Sequence, residues 1–155
     1  MNNQSLKSIY DTFEEIASIH KNINDFGKGD IFKINGRPSL KHPTLWVDID
    51  SSDIQNSLIV MKFRIFIMDI TDQADLSEED VHSDTLFIMQ DIITLLKKKY
   101  ELIPDRYDVT TNPFHHKFND RVAGWSSIIE VRVPYYYAEM DIDFDVDDVI
   151  ESITE

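Results

Sequence analysis

The chain has 155 residues, 42% of them hydrophobic, no cysteine and a net charge of −14. That length suits one domain with a real core. The missing cysteine excludes disulfides and thiolate chemistry, and the acidic balance argues against tight phosphate binding, which needs clustered cations.

The charge is unevenly placed. Residues 139–155 carry eight acidic side chains and no Lys or Arg, whereas residues 1–138 carry 21 acids against 15 bases. The reading is one domain over 1–138 followed by an acidic tail or docking strand over 139–155. No run approaches membrane-spanning length, and the N-terminal stretch lacks the basic-then-apolar pattern of a secretory signal.

Leu6, Ile9, Tyr10, Phe13, Ile16 and Ala17 recur at helical spacing, which predicts an amphipathic helix ending near Ile23. Residues 24–30, with Gly27 and Gly29, read as a turn. Asp30–Ile34 reads as a short strand, and Thr44–Ile49 as a second that starts after Pro43. Residues 57–70 form the strongest strand signal. Ile59, Met61, Phe63, Ile65 and Ile67 share one face, and Leu58, Val60, Lys62, Arg64, Phe66 and Met68 share the other. The second face is polar in its middle and apolar at both ends, so a helix or another subunit is expected to cover those ends. The strand is also long enough to suggest an arm projecting past the domain.

Residues 69–80 read as an acidic loop, and Ser77 with Glu78, Glu79 and Asp80 reads as a helix start. The helix runs to about Lys99, where Lys97, Lys98 and Lys99 complement its dipole. Val81, Thr85, Ile88, Ile92, Leu95 and Leu96 make one apolar stripe, and Leu86, Met89 and Ile93 a second beside it. Arg106–Asn112 and Gly124–Pro134 complete the strands, with a loop over 113–120 between them. The order α-β-β-β-α-β-β predicts an α+β fold, an antiparallel sheet of about five strands with both helices on one face.

Candidate chemistry is sparse. Asp141, Asp143 and Asp145 imitate the start of an EF-hand loop, but the required Gly and Glu positions hold Val146 and Ser152. The same segment alternates Ile142, Phe144 and Val146 with aspartates, a pattern suited to docking along a sheet edge. His115 and His116 are adjacent, and on an extended chain they point to opposite sides, which argues against a shared zinc ion. No nucleophile elbow or phosphate loop occurs. A metal-dependent hydrolase built on the Asp-rich loop lacks a plausible site. No catalytic, metal or cofactor residue is therefore assigned, and the chain is not read as an enzyme.

Several blocks carry a family resemblance: Asn24–Asp30, His42–Val47, Phe63–Asp69, Ser83–Ile92, and Pro113–Asp120 leading to Val122–Trp125 and Val133–Tyr135. Together they resemble a family of small virion proteins widespread in tailed phages, including crAss-like phages. The element order is similar to that of tail-terminator and tail-completion proteins, which form rings at the head–tail junction. The resemblance implies a virion subunit of a head–tail connector or tail ring, assembled in the host cytoplasm. It would contact copies of itself and neighbouring neck or tail proteins, while DNA passes without tight binding. The acidic tail departs from the family pattern.

Ring subunits need two different adhesive surfaces. The candidates are the apolar ends of the second face of the long strand (Leu58, Val60, Phe66, Met68) and the Leu86, Met89 and Ile93 stripe, with Ile142, Phe144 and Val146 as a partner-docking tail. The alternative function is an acidic DNA mimic that inhibits a host nucleic-acid-binding enzyme. It requires acids spread over one folded surface, whereas here the excess lies in the tail.

Overall fold

The computed structural model describes residues 5–36, 40–71, 78–117 and 122–134. In chain order the elements are α1 (Leu6–Ile19), β1 (Asp25–Lys28), a 3-10 helix (Ile31–Gly36), β2 (Thr44–Gln55), β3 (Leu58–Ile70), α2 (Glu78–Lys98), β4 (Thr111–Lys117) and β5 (Val122–Pro134). The strands form one sheet in the order β1-β2-β3-β5-β4. The pair β1–β2 is parallel and the other pairs are antiparallel, so the sheet is mixed rather than wholly antiparallel.

α1 begins at a capping box in which Ser5 and Ser8 each accept the other's backbone N–H. It stops at Ile19, four residues short of the expected Ile23, where the His20 amide closes on the Ile16 carbonyl. Its apolar stripe buries Ile9, Phe13, Ile16 and Ala17. α2 carries Glu78, Glu79 and Asp80 in its first turn and Lys97 and Lys98 in its last, matching the helix dipole at both ends. Both helices pack on the same sheet face, against Leu45 and Val47 of β2, Phe63, Ile65 and Ile67 of β3, and Ile129 and Val131 of β5.

Three local expectations are corrected. Residues 25–28 are a strand rather than a turn: β1 runs beside Thr44–Val47, and Gly27 lets the Trp46 ring lie against the backbone. Only Gly29 of the glycine pair has positive φ, at 94°. Residues 31–36 wind into a 3-10 helix instead of the expected Asp30–Ile34 strand, which places Ile31 and Ile34 over the far sheet face. The fourth strand lies at Thr111–Lys117 rather than Arg106–Asn112. It is an edge strand, and an edge tolerates Pro113, whose nitrogen has no hydrogen to donate.

On that far face, Ile31, Ile34, Trp46, Phe66, Met68, Phe114 and Val122 make a second, smaller core. Of the two covers expected for Phe66 and Met68, a helix or another subunit, the chain supplies a helix of its own, so these two do not serve as an open oligomer interface. Val60 and Met89 are likewise buried within one chain.

The long strand does not project alone: β5 flanks β3 to Leu58, and the β2–β3 hairpin passes only the β1 edge. A bulge at Asp50 breaks the β2–β3 register between Ile49 and Ser51, and the Arg64 guanidinium donates to the Asp50 carboxylate at 2.8 Å. Beyond the bulge, residues 51–57 are exposed. β1 accompanies β2 only as far as Val47, so the hairpin tip extends past the β1 edge of the sheet.

Candidate functional site

Three surface features concentrate side chains with binding potential. The first is a groove of about 440 Å3 on the outer flank of α2, lined by Leu86, Met89, Gln90, Ile93, Thr94 and Lys97 and closed by Tyr107–Val109 and Thr111. The helical spacing of Leu86, Met89 and Ile93 brings them to this one groove. Leu86 is 39% exposed, Ile93 is half-buried, and Met89 forms the floor with no exposure. Lys97 also reaches a larger hollow, lined by more charged side chains, near Leu102–Asp105, Glu130 and Arg132. Within it Arg132 pairs with Glu130 at 3.8 Å, and Asp105 pairs with the neighbouring Lys98 at 3.1 Å.

The second feature is the arm tip. Ile54 is 84% exposed, and Ser51, Ser52, Asp53, Gln55, Asn56 and Ser57 around it are exposed as well. Of the other arm residues, Leu58 is half-buried and Val60 buried.

The third is an acidic cleft of about 450 Å3 between the end of α1 and α2, lined by Lys21, Asn22, Asn24, Pro43, Asp69, Asp84, Phe87, Ile88 and Asp91. Four of the sequence blocks quoted above meet here, through Asn24, Pro43, Asp69 and the Asp84–Asp91 turns of α2. Hydrogen bonds set the walls. The Asn24 amide donates to the Pro43 carbonyl at 2.8 Å, and its side-chain amide donates to the His42 carbonyl at 2.9 Å. His20 Nδ1 accepts from the Asn22 amide, so its hydrogen lies on Nε2, which donates to Asp91 at 2.8 Å. The Thr44 hydroxyl lies within hydrogen-bonding reach of both the Lys41 carbonyl, at 3.0 Å, and His42 Nδ1, at 3.1 Å. Burial pushes the Asp69 carboxyl above its ordinary range, against the Ile70 amide and His42, which pull it down. Burial likewise lowers the His42 imidazole, against the nearby Asp69 charge.

A fourth cluster escaped the sequence reading. Glu78 and His82 occupy one face of the first turns of α2, and His115 comes up beside them from β4. One ligand atom from each of the three lies within 4.8 Å of the others. The only sequence signal was the four-residue spacing of Glu78 and His82 on a helix, and nothing local pointed to His115. The tail residues Ile142, Phe144 and Val146 lie outside the described residues, as does the expected cap Ser77.

Among the described residues no helix is long and apolar enough to cross a membrane. No protein-family model matches the chain, and no curated protein matches it.

Proposed function

We propose that the chain is a structural subunit of a homo-oligomeric ring, of the head–tail connector or tail-ring kind, in which the hairpin arm of one copy seats in the α2 groove of the next. The observation that carries this reading is the pairing of an exposed apolar tip with a separate apolar groove on the same molecule. Head-to-tail contacts that close by rotation require two such unlike surfaces. Ile54 pairs with Ile59, whereas Thr111 at the groove pairs with Ser127 and so sits level with Ile65. The two surfaces are therefore about 20 Å apart along the strands, with β3 and β5 between them. They are too far apart for the tip to fill its own groove.

The chemistry of the two surfaces is complementary. Ile54 fits a groove walled by Leu86, Ile93 and Val109. Of the surface first expected, Leu86 and Ile93 remain accessible; Phe66, Met68, Val60 and Met89 instead stabilise the subunit itself. The resemblance to tail-ring proteins gives the setting, a virion in which DNA passes through the ring. An acidic subunit suits that passage, since carboxylates repel phosphate.

Sedimentation of the full chain tests the reading. A concentration-dependent assembly larger than a dimer is expected, stronger at higher salt because screening relieves the mutual repulsion of subunits carrying −14 each. A monomer at every concentration and salt, with the protein absent from virions, would refute it.

A further inference from the structure

We propose that Glu78, His82 and His115 form a binding site for a divalent transition-metal ion of the zinc type, which ties the start of α2 to the edge strand β4. This inference does not rest on the ring reading.

The donor set comes first. Two imidazoles and one carboxylate suit Zn2+ and its neighbours Co2+, Ni2+ and Cu2+, whereas Ca2+ and Mg2+ take oxygen ligands. Tetrahedral zinc with bonds of about 2.0–2.1 Å needs its ligand atoms roughly 3.3 Å apart. The three donors already lie within 4.8 Å of one another, so small side-chain rotations close the site. His115 is exposed and Glu78 is half-buried, so both side chains have solvent to turn into.

Position comes second. Glu78 and His82 are four residues apart on α2, so both side chains project from the same helical face. That face is held against the strands by two hydrogen bonds. The Trp125 indole N–H donates to the His82 carbonyl at 2.8 Å, and His82 Nε2 meets the Phe114 carbonyl at 3.0 Å. A carbonyl can only accept, so Nε2 carries the hydrogen and the lone pair of His82 lies on Nδ1. An ion taken through Nδ1 keeps the Nε2–H contact, which is how metal-binding histidines are commonly oriented. The His82 ring also lies edge-on between the rings of His115 and Trp125.

His115 Nδ1 and the Glu78 carboxylate already contact each other directly. A hydrogen-bonded pair of that kind brings donors together with a proton between them, and a metal ion takes the place of that proton. Three protein ligands leave a fourth position open for water or for a group from a neighbouring molecule.

The test uses the full chain stripped of metal with a chelator and titrated with Zn2+ by calorimetry, with Co2+ absorption as a second reporter. One saturable equivalent is expected, with a rise in Tm that excess Mg2+ or Ca2+ does not reproduce. His115→Ala and Glu78→Gln should each abolish that equivalent while keeping the far-UV spectrum of the parent, with only a small drop in metal-free Tm from loss of the Glu78–His115 contact. Absence of saturable Zn2+ binding would overturn the proposal. So would binding left unchanged in both variants, which would place the ion on other groups such as the aspartates of 141–147.

Discussion

Gly124 is where a single added carbon should do most damage. A Cβ there would sit 1.9 Å from the Ile67 carbonyl oxygen, and backbone in the middle of a sheet cannot yield. At Gly27 a Cβ would meet the Trp46 ring at 2.2 Å, and that ring is buried and held by its indole hydrogen bond to the Gly29 carbonyl. Gly27→Ala should cost about 1–3 kcal/mol and Gly124→Ala at least the upper end of that range, as read by urea unfolding. The sequence reading placed Gly27 in a turn. The physical need is close backbone approach, which arises only once the neighbouring strand is in place.

Asp69 and His42 give the cleft a pH signature of opposed parts. A carboxyl whose folded pKa is raised holds its proton more readily in the folded chain, so it opposes folding at neutral pH. That penalty fades as pH falls through the folded value. Asp69→Asn keeps an oxygen for the Ile70 amide, so it should raise Tm at about pH 7 and lose the advantage towards about pH 4. His42 works in the opposite sense. Its lowered imidazole leaves folding unpenalised at neutral pH and costs stability as pH drops below the ordinary 6.5. Thermal melts of parent and variant across that range separate the two. Equal Tm values at all pH would contradict the burial assigned to Asp69.

At the scale of elements, the 3-10 helix is the cover that the apolar end of the far face of β3 needs. Ile34 is buried over Phe66 and Met68, so Ile34→Ala should cost about 2–5 kcal/mol and expose apolar surface that binds a hydrophobic dye. Periodicity made α1, α2, β3 and β5 legible, because each is long enough to repeat its pattern over several turns or pleats. It failed at β1, where four residues hold no period and the strand exists only by pairing with the distant β2. It failed again at β4, where Pro113 reads as a break although an edge strand accepts it. The groove was legible as the Leu86, Met89 and Ile93 stripe, but which of these remained accessible depended on packing. The Glu78, His82 and His115 cluster was half legible, since α2 fixes two members and only the sheet brings the third.

For the whole molecule, the proposed ring requires strong negative charge to coexist with self-association. In that ring the acidic excess of the tail is best kept away from neighbouring copies or set against a basic partner. Removing residues 139–155 should therefore preserve assembly through arm and groove, or strengthen it at low salt, and weaken attachment to a neighbouring virion protein. If the truncated chain instead no longer assembles, the ring contact lies in the tail rather than in the arm.

The arm-in-groove contact is tested most directly by mixing two disabled subunits, Ile54→Asp and Leu86→Asp, each altered at an exposed position. Each alone should sediment as a folded monomer, because one lacks a usable tip and the other a usable groove. Mixed in equal amounts they should form a one-to-one dimer and stop there, since only one intact tip and one intact groove remain. Full-size assembly by either variant alone, or no dimer in the mixture, would contradict the head-to-tail ring.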